Sequence, residues 1–314
     1  MLKISVVIPT FNAADTLERA VESCLQQNFT GYEIIIVDNN STDETLRVAR
    51  ALADAHDVIS VLQERKQGAA AARNTGARAA RGEWLQFLDA DDVLLGGKWE
   101  RQMELVNKNT KWIIGGYETV LSNGRRHFTP GGPDPIRGLL YSGEVGCMNS
   151  NQFKRETYLE LGGMKEDLPD HEDYDLYFRM IEHNHVYVFD SQASCLYLRP
   201  AHNTLSTIDD VGRVRRRVEL TEKILSYTRD HLADYYEANL DELNSYLFRH
   251  IVRQGTFDPS SAKINFNKHF PEGLRSVSMN KKLLSKTYYL YKWLNFSTVE
   301  RVRCAMRKVK NFDI

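Results

Sequence analysis

Ile4-Ser5-Val6-Val7-Ile8-Pro9-Thr10-Phe11-Asn12 opens the chain with an apolar run that proline and polar residues bring to a stop. So short and β-branched a run reads as a strand buried on both faces, as in parallel sheets. Moving outward, Asp15–Gln27 sets Leu17, Ala20, Val21, Cys24 and Leu25 on one helical stripe, and Glu33–Val37 reads as a second strand. Ser41 and Glu44 stand at capping-box spacing and predict a helix through about Ala55. Val58–Leu62 reads as a third strand, the Ala-rich stretch Gly68–Ala80 as a helix, and Trp84–Leu88 as a fourth strand. Strand and helix alternating at this interval predict right-handed βαβ units and an α/β fold around a mostly parallel sheet. Ligands of such sheets bind where the strands end at their carboxyl edge. Those ends carry Thr10-Phe11-Asn12, Asp38-Asn39-Asn40, Gly68, and Asp89-Ala90-Asp91-Asp92, polar sets suited to an anionic, hydroxylated ligand.

Composition narrows the classes. With 314 residues, 42% hydrophobic and 26% charged, the chain is globular and long enough to fold without disulfide or metal staples. Lys+Arg 41 against Asp+Glu 42 argues against a dedicated nucleic-acid binder. Cys24, Cys147, Cys195 and Cys304 are scattered without a CxxC pair, as reduced thiols of a cytoplasmic chain would be. The first apolar run is too short for a signal-peptide core, and no stretch is long enough to span a bilayer. The expected location is cytoplasmic, either free or peripheral on the inner face of the cell membrane.

The segment from Leu121 to Gly146 is rich in Gly and Pro and reads as a mobile loop. Helices are expected over Lys154–Leu161 and Glu172–Glu182, strands over Val186–Phe189 and Ser194–Leu198, and helices alone from about Asp209.

Leu85 to Asp92 is the strongest chemical signal. A hydrophobic strand that ends in carboxylates at i and i+2 offers oxygen-only ligands, which suit Mg2+ or Mn2+ completed by water and a substrate diphosphate. An acidic helix cap is the alternative for the same residues.

Taken in order, Val6 to Asn12, Ile36 to Asp43, Gly68 with Arg73-Asn74-Thr75-Gly76, and Asp89 to Asp92 resemble the nucleotide-binding half of family 2 glycosyltransferases. Leu161-Gly162-Gly163-Met164 followed by His171 to Leu176 resembles that family's acceptor-side motif, and Tyr197-Leu198-Arg199 with His202 to Ser206 its closing motif. The resemblance covers roughly residues 3–206. It implies a GT-A fold and an inverting enzyme of the bacterial surface-polysaccharide type. Such an enzyme moves one sugar from a nucleoside-diphosphate donor, here expected to be UDP-linked, to a hydroxyl of a glycan or lipid-linked acceptor. The domains expected are 1–208, with a donor half 1–95 and an acceptor half 96–208, followed by a helical extension 209–314.

The resemblance also distributes roles. Pro9, Thr10, Phe11, Asn12, Asp38, Gly68 and Arg73 would line the donor, with Thr10, Asp38 and Arg73 on the base and ribose. Asp89 would lie near the ribose, beside Ala90, and Asp91 would hold the metal. Asp173 would be the general base, with Glu172 as the fallback. These acids also open a predicted helix, where the dipole favours them regardless of function. His202 would bind the metal or the diphosphate, or else be a solvated loop histidine. Two departures stand out. Asn39-Asn40 replaces the family's usual Asp-Gly after the first acid, which leaves base selectivity open. The Gln-x-x-Arg-Trp motif of processive synthases is absent, which favours single-sugar addition.

Three other classes fit the sequence less well. A nucleotidyltransferase needs a basic Gly-rich loop after the first strand, and Pro9–Ala14 has no Gly, Lys or Arg. A nicotinamide enzyme lacks its GxGxxG. A non-catalytic sugar-nucleotide-binding scaffold would be expected to have lost the acids at 89, 91 and 173. The run Arg213, Arg215, Arg216, Arg217 fits either an anionic acceptor or a wet helix face. From Lys281 to Ile314, nine Lys/Arg against two acids give a net +7, which leaves −8 for the rest of the chain. Tyr288, Tyr289, Tyr291, Trp293 and Phe296 lie among these cations. The tail therefore reads either as an interfacial helix on an anionic membrane surface or as a packed helix with a basic outer face.

Overall fold

A computed structural model describes residues 2–199, 210–274, 277–280, 288, 291, 295–300 and 303. The chain divides into two compact units, Met1–Asn203 and Thr204–Ile314. In the first, the elements run β1 (Ile4–Thr10), α1 (Leu17–Leu25), β2 (Tyr32–Asp38), α2 (Thr45–Ala55), β3 (Ile59–Gln63), α3 (Ala69–Ala79) and β4 (Trp84–Phe87). There follow β5 (Val93–Leu94), α4 (Lys98–Leu105), β6 (Trp112–Val120), β7 (Arg126–Thr129) and α5 (Pro135–Arg137), which runs into a π-helical turn (Gly138–Ser142). The unit closes with β8 (Gln152–Lys154), α6 (Arg155–Glu160), α7 (Glu172–Glu182) and β9 (Tyr187–Leu198).

The strands form one sheet in the order β3-β2-β1-β4-β8-β6-β9-β5, with β7 paired to β6. The parallel part expected from the alternation is β3-β2-β1-β4. Beyond it the sheet is mixed, because β8 runs antiparallel to both β4 and β6 while β9 lies parallel to β6. The predicted stripe of α1 is confirmed, since Leu17, Ala20, Val21 and Cys24 are buried. The alanines of α3 let it lie flat on the sheet. A Cβ added at Gly76 would stand 2.3 Å from Val7 Cγ1 and 3.2 Å from Val37 Cγ2.

Three expectations change. Ser41 does not cap α2; its hydroxyl accepts from the Asn12 N–H (3.1 Å), and Asp43 accepts from the Thr45 N–H (3.0 Å) at the helix entrance. The segment 121–146 is not a plain loop. Asn123-Gly124 makes a hairpin turn, with Gly124 at φ 79°, and β7 pairs back on β6 before the short helical turns. The two strands expected over 186–198 are one, β9, with register shifts opposite Gly115 and Gly116. The sequence patterns assigned nothing to 93–120, where β5, α4 and β6 lie.

The second unit contains α8 (Asp210–His231), α9 (Ala233–Ala238), α10 (Leu240–Phe257) and α11 (Pro259–His269). Tyr288, Tyr291 and Phe296 are buried in its core with Phe248, Phe266 and Phe270. Arg303 donates to the Tyr291 hydroxyl (2.7 Å) and to Glu300 (2.5 Å). For these residues the packed alternative holds. Rings enclosed by protein cannot also insert among lipids. Lys281, Lys282, Lys286, Tyr289, Lys292 and Trp293 lie outside the described residues. No helix among the described residues is long and apolar enough to cross a membrane.

Candidate active site

The donor side is built by register. β1 and β2 pair in parallel with Thr10 opposite Asp38, so both side chains reach the carboxyl edge together. The Thr10 hydroxyl donates to the Val37 carbonyl (3.2 Å). Asp38 is buried, and its Oδ1 has no protein partner. A buried carboxylate oxygen without a donor is costly unless a ligand supplies one. Next to it, the Asn39 amide donates to the carbonyls of Glu64 (2.9 Å) and Lys66 (2.7 Å) and accepts from Gly68 N–H (2.7 Å). An aspartate could not make the first two bonds, so the asparagine is what folds the β3–α3 loop against the end of β2. Asn40 takes φ 62°, the conformation expected of a glycine substitute. Asn12, at φ 49°, accepts from the Thr42 N–H (2.8 Å) and joins the first loop to the second. Phe11 is exposed beside this edge, Pro9 is half-buried, and Ala90 packs into the core.

The acidic loop between β4 and β5 holds three aspartates in three settings. Asp89 pairs with Arg73 (2.6 Å). Asp92 is fully buried; Asn149 Nδ2 and the Leu198 N–H (2.7 Å) donate to its two oxygens. Burial, and then the charge of Asp89, push the Asp92 pKa up to about 9. Asp91 is exposed, with its backbone carbonyl held by Arg19 (2.7 Å). Its carboxyl is raised above the ordinary value by partial desolvation and by Asp89, and no ion-pair partner faces it among the described residues. Arg19 offsets this only in part, and a carboxylate so raised fits a divalent cation. No group of three or more potential ligands surrounds it among the described residues. A cation there would hold Asp91 and take most of its shell from water and ligand phosphates, as Mg2+ and Mn2+ do. His202 lies outside the described residues.

Arg73 joins the two halves. Its guanidinium is buried and reaches both Asp89 and Glu172 Oε1 (3.1 Å), leaving Nε without a partner. Burial pulls its pKa down, but Asp89 and Glu172 together outweigh that and raise it. The next residue, Asn74, accepts from the Tyr158 hydroxyl (2.7 Å) and the Met164 N–H (2.9 Å) and donates to the Met164 carbonyl (2.8 Å). This fixes the Gly162-Gly163 turn. Gly163, at φ 69°, passes so close that an added Cβ would stand 2.4 Å from Asn74 Oδ1. Arg179 of α7 donates to the Leu161 and Gly163 carbonyls (2.7 Å each) from the other side.

The three acids in the first turn of α7 are thereby told apart. Glu172 pairs with Arg73, and Asp175 pairs with Lys165 (2.7 Å) and Arg179 (2.7 Å). Asp173 has no ion pair among the described residues; its Oδ1 accepts from the Tyr174 N–H (2.8 Å). Burial first, and then the charge of Glu172, push its pKa up to about 7, against the pull of Arg73. Stacking of Tyr177 on Trp112 (5.4 Å between centroids) and on Phe153 (6.1 Å) seats this helix on the sheet.

The structure thus brings Arg73, Asp89 and Glu172 into contact, with Asp173 under their field, and sets Thr10 beside Asp38. The sequence reading carried Asp92, Asn39 and Asn74 inside its motifs without giving them a role, and it missed Asn149, whose only signal was the polar run Asn149-Ser150-Asn151-Gln152 just before an apolar residue.

Residues 5–146 match the model of glycosyl transferase family 2. An uncharacterized glycosyltransferase of Haemophilus influenzae is 28% identical over 259 residues, which cover 79% of this chain and 85% of that protein. The Escherichia coli protein named UDP-Glc:alpha-D-GlcNAc-diphosphoundecaprenol beta-1,3-glucosyltransferase WfgD is 31% identical over 121 residues, 38% of this chain and 47% of that protein. Among solved structures, S. aureus TarS in complex with UDP-GlcNAc superposes with a TM-score of 0.64 at 16% identity, covering 98% of this chain and 93% of that one. The mannosyltransferase PcManGT of Pyrobaculum calidifontis, in complex with GDP-Man and Mn2+, gives a TM-score of 0.58 at 17% identity, covering 99% and 88%. The family match falls on the strands and loops that build the donor side, so residues 5–146 read as a family 2 glycosyltransferase domain, within a GT-A fold.

Proposed function

We propose that this chain is an inverting glycosyltransferase that moves one sugar from a nucleoside-diphosphate donor to a hydroxyl of a glycan or lipid-linked acceptor in surface-polysaccharide synthesis. The observation that carries the reading is Asp173, the one acid in the first turn of α7 with no ion pair among the described residues, tied through Glu172 and Arg73 to the acidic donor loop. A carboxylate with a pKa near neutrality, beside a donor site, is what a general base requires. The naming of WfgD for a diphosphoundecaprenol acceptor supports a lipid-linked acceptor class, and with it a place at the inner face of the membrane.

Asp38 Oδ1 reads the base edge. As a lone acceptor it calls for an N–H donor; uracil N3 and guanine N1 offer a ring N–H, whereas cytosine and adenine offer only an exocyclic amino N–H. The TarS complex with UDP-GlcNAc favours uracil. Arg73, although expected on the base and ribose, is engaged by two carboxylates and acts here by holding Asp89 and Glu172 in place. Asp91 would hold Mg2+ or Mn2+, which when bound supplies charge neutralisation for the departing diphosphate. The acceptor hydroxyl gives its proton to Asp173 as its oxygen attacks the anomeric carbon. That C–O bond forms while the bond to the diphosphate breaks, and the single displacement inverts the centre.

The test is a panel of UDP-sugars and GDP-mannose with the purified chain, in Mn2+, in Mg2+ and in EDTA, with the product anomer assigned by NMR. Transfer or slow hydrolysis with inversion is expected. Retention of configuration, or no turnover of any donor, rejects the reading.

A further inference from the structure

Asp91 is the acid that a cation needs, and its side chain has no ion pair or hydrogen bond to another side chain among the described residues. What aims it must act through the backbone. Its own carbonyl is held by Arg19, and the residues on either side are held by a single side chain, Asn149. Asn149 Oδ1 accepts from the Asp89 N–H (2.8 Å), and Asn149 Nδ2 donates to the Asp92 carboxylate. The backbone of Asn149 is in turn fixed to β4, where the fully buried Gln86 donates to its carbonyl (2.9 Å). Asp92 passes the connection on, accepting from the N–H of Leu198, the last residue of β9. Asn149 is itself buried. Only a side chain that both accepts and donates in one plane can make this pair of bonds, and an amide does so without adding charge.

We propose that Asn149 is the positioning residue of the acidic loop: its amide clamps Asp89 and Asp92 so that Asp91 between them is presented to the cation–diphosphate end of the donor. This rests on the donor reading above. The donor and acceptor pattern gives a decisive variant set. In Asn149→Asp the Nδ2 donor is lost and two carboxyl groups face each other. In Asp92→Asn, with its Oδ1 still accepting from Leu198, two amide nitrogens face each other, and flipping Asn149 only moves the conflict to the Asp89 N–H. In the double variant every group regains a partner: Asp at 149 accepts from Asp89 N–H and from the Asn at 92, which accepts from Leu198. The total charge is unchanged.

The experiment is calorimetric titration of the full chain with UDP, in Mn2+ and in EDTA, for wild type, both single variants and the double. The readout is the gain in affinity that Mn2+ confers. Misplacement of a group that supports a metal ligand costs about 10- to 100-fold, so each single variant should lose at least about tenfold of that gain. Binding in EDTA, which reports the base and ribose end, should stay near wild type. The double variant should return to within about threefold of wild type. A general loss of structure would instead lower both arms together. If a single variant fails to fold by circular dichroism, the double decides: it must regain both its melt and the Mn2+-linked gain. Single variants with a wild-type gain, or a folded double without one, overturn the proposal. A wild type that binds no UDP, or binds it regardless of Mn2+, defeats instead the donor reading on which the proposal stands.

Discussion

Replacing Arg73 by methionine removes the cation between the two halves of the site while keeping much of its apolar volume. The side chain of Arg73 is 7% exposed, against 30% for Asp89 and 20% for Glu172, so the interaction belongs to the buried class. Removing one partner of a buried pair costs about 3–5 kcal/mol, because the charge left behind keeps its desolvation. The two acids retain some water, so the lower end is expected. For a unit the size of Met1–Asn203, about 3 kcal/mol corresponds to a fall in Tm of roughly 6–12 °C. Arg73 also draws the Asp173 pKa down, so without it the acidic limb of the pH–rate profile should move above its wild-type midpoint near pH 7. Thermal melts at about pH 8 and a pH–rate series for donor turnover measure both effects. A variant that melts within about 2 °C of wild type at about pH 8 refutes the reasoning, as does a midpoint that moves down.

Four further outcomes are expected. Asp91→Ala should abolish Mn2+- or Mg2+-dependent donor turnover with an unchanged melt, since the residue is exposed; retained metal-dependent activity removes it from the cation. Asp173→Asn should keep UDP binding and lower transfer by at least about 100-fold, whereas a larger loss in Glu172→Gln transfers the base role by one residue. The wild-type rate should fall tenfold per pH unit below about 7, where Asp173 becomes protonated and can no longer take a proton; a flat profile between about pH 5 and 7 contradicts this. Gly76→Ala should lower stability by about 1–3 kcal/mol through overpacking against Val7 and Val37, and a melt equal to wild type would mean that the helix can move off the sheet freely.

What the sequence by itself determined was local and periodic. The β-branched runs at Ile4–Ile8 and Glu33–Val37, and the helical stripe between them, were enough to predict the parallel sheet and the edge at which its ligand binds. That follows because a strand buried on both faces and a helix buried on one have different repeats, and both are readable along the chain. The acids at 89, 91 and 173 were also legible, since they stand where such elements end.

Which of those acids is free for chemistry was decided only by the tertiary structure. Glu172 and Asp173 are adjacent and chemically alike, yet Arg73, 99 residues from Glu172, engages the first, and the second has no ion pair among the described residues. Asn149 meets Asp89 across 60 residues. No local period records such a pairing, because it depends on where two unrelated loops are brought by the packing of the elements that carry them. The aromatic residues among the basic residues of the tail teach the same lesson. Their sequence suits a lipid surface and a protein core equally, since both reward burial of the same rings. Only the fold, by enclosing Tyr288, Tyr291 and Phe296 against Phe248 and Phe266, makes the choice.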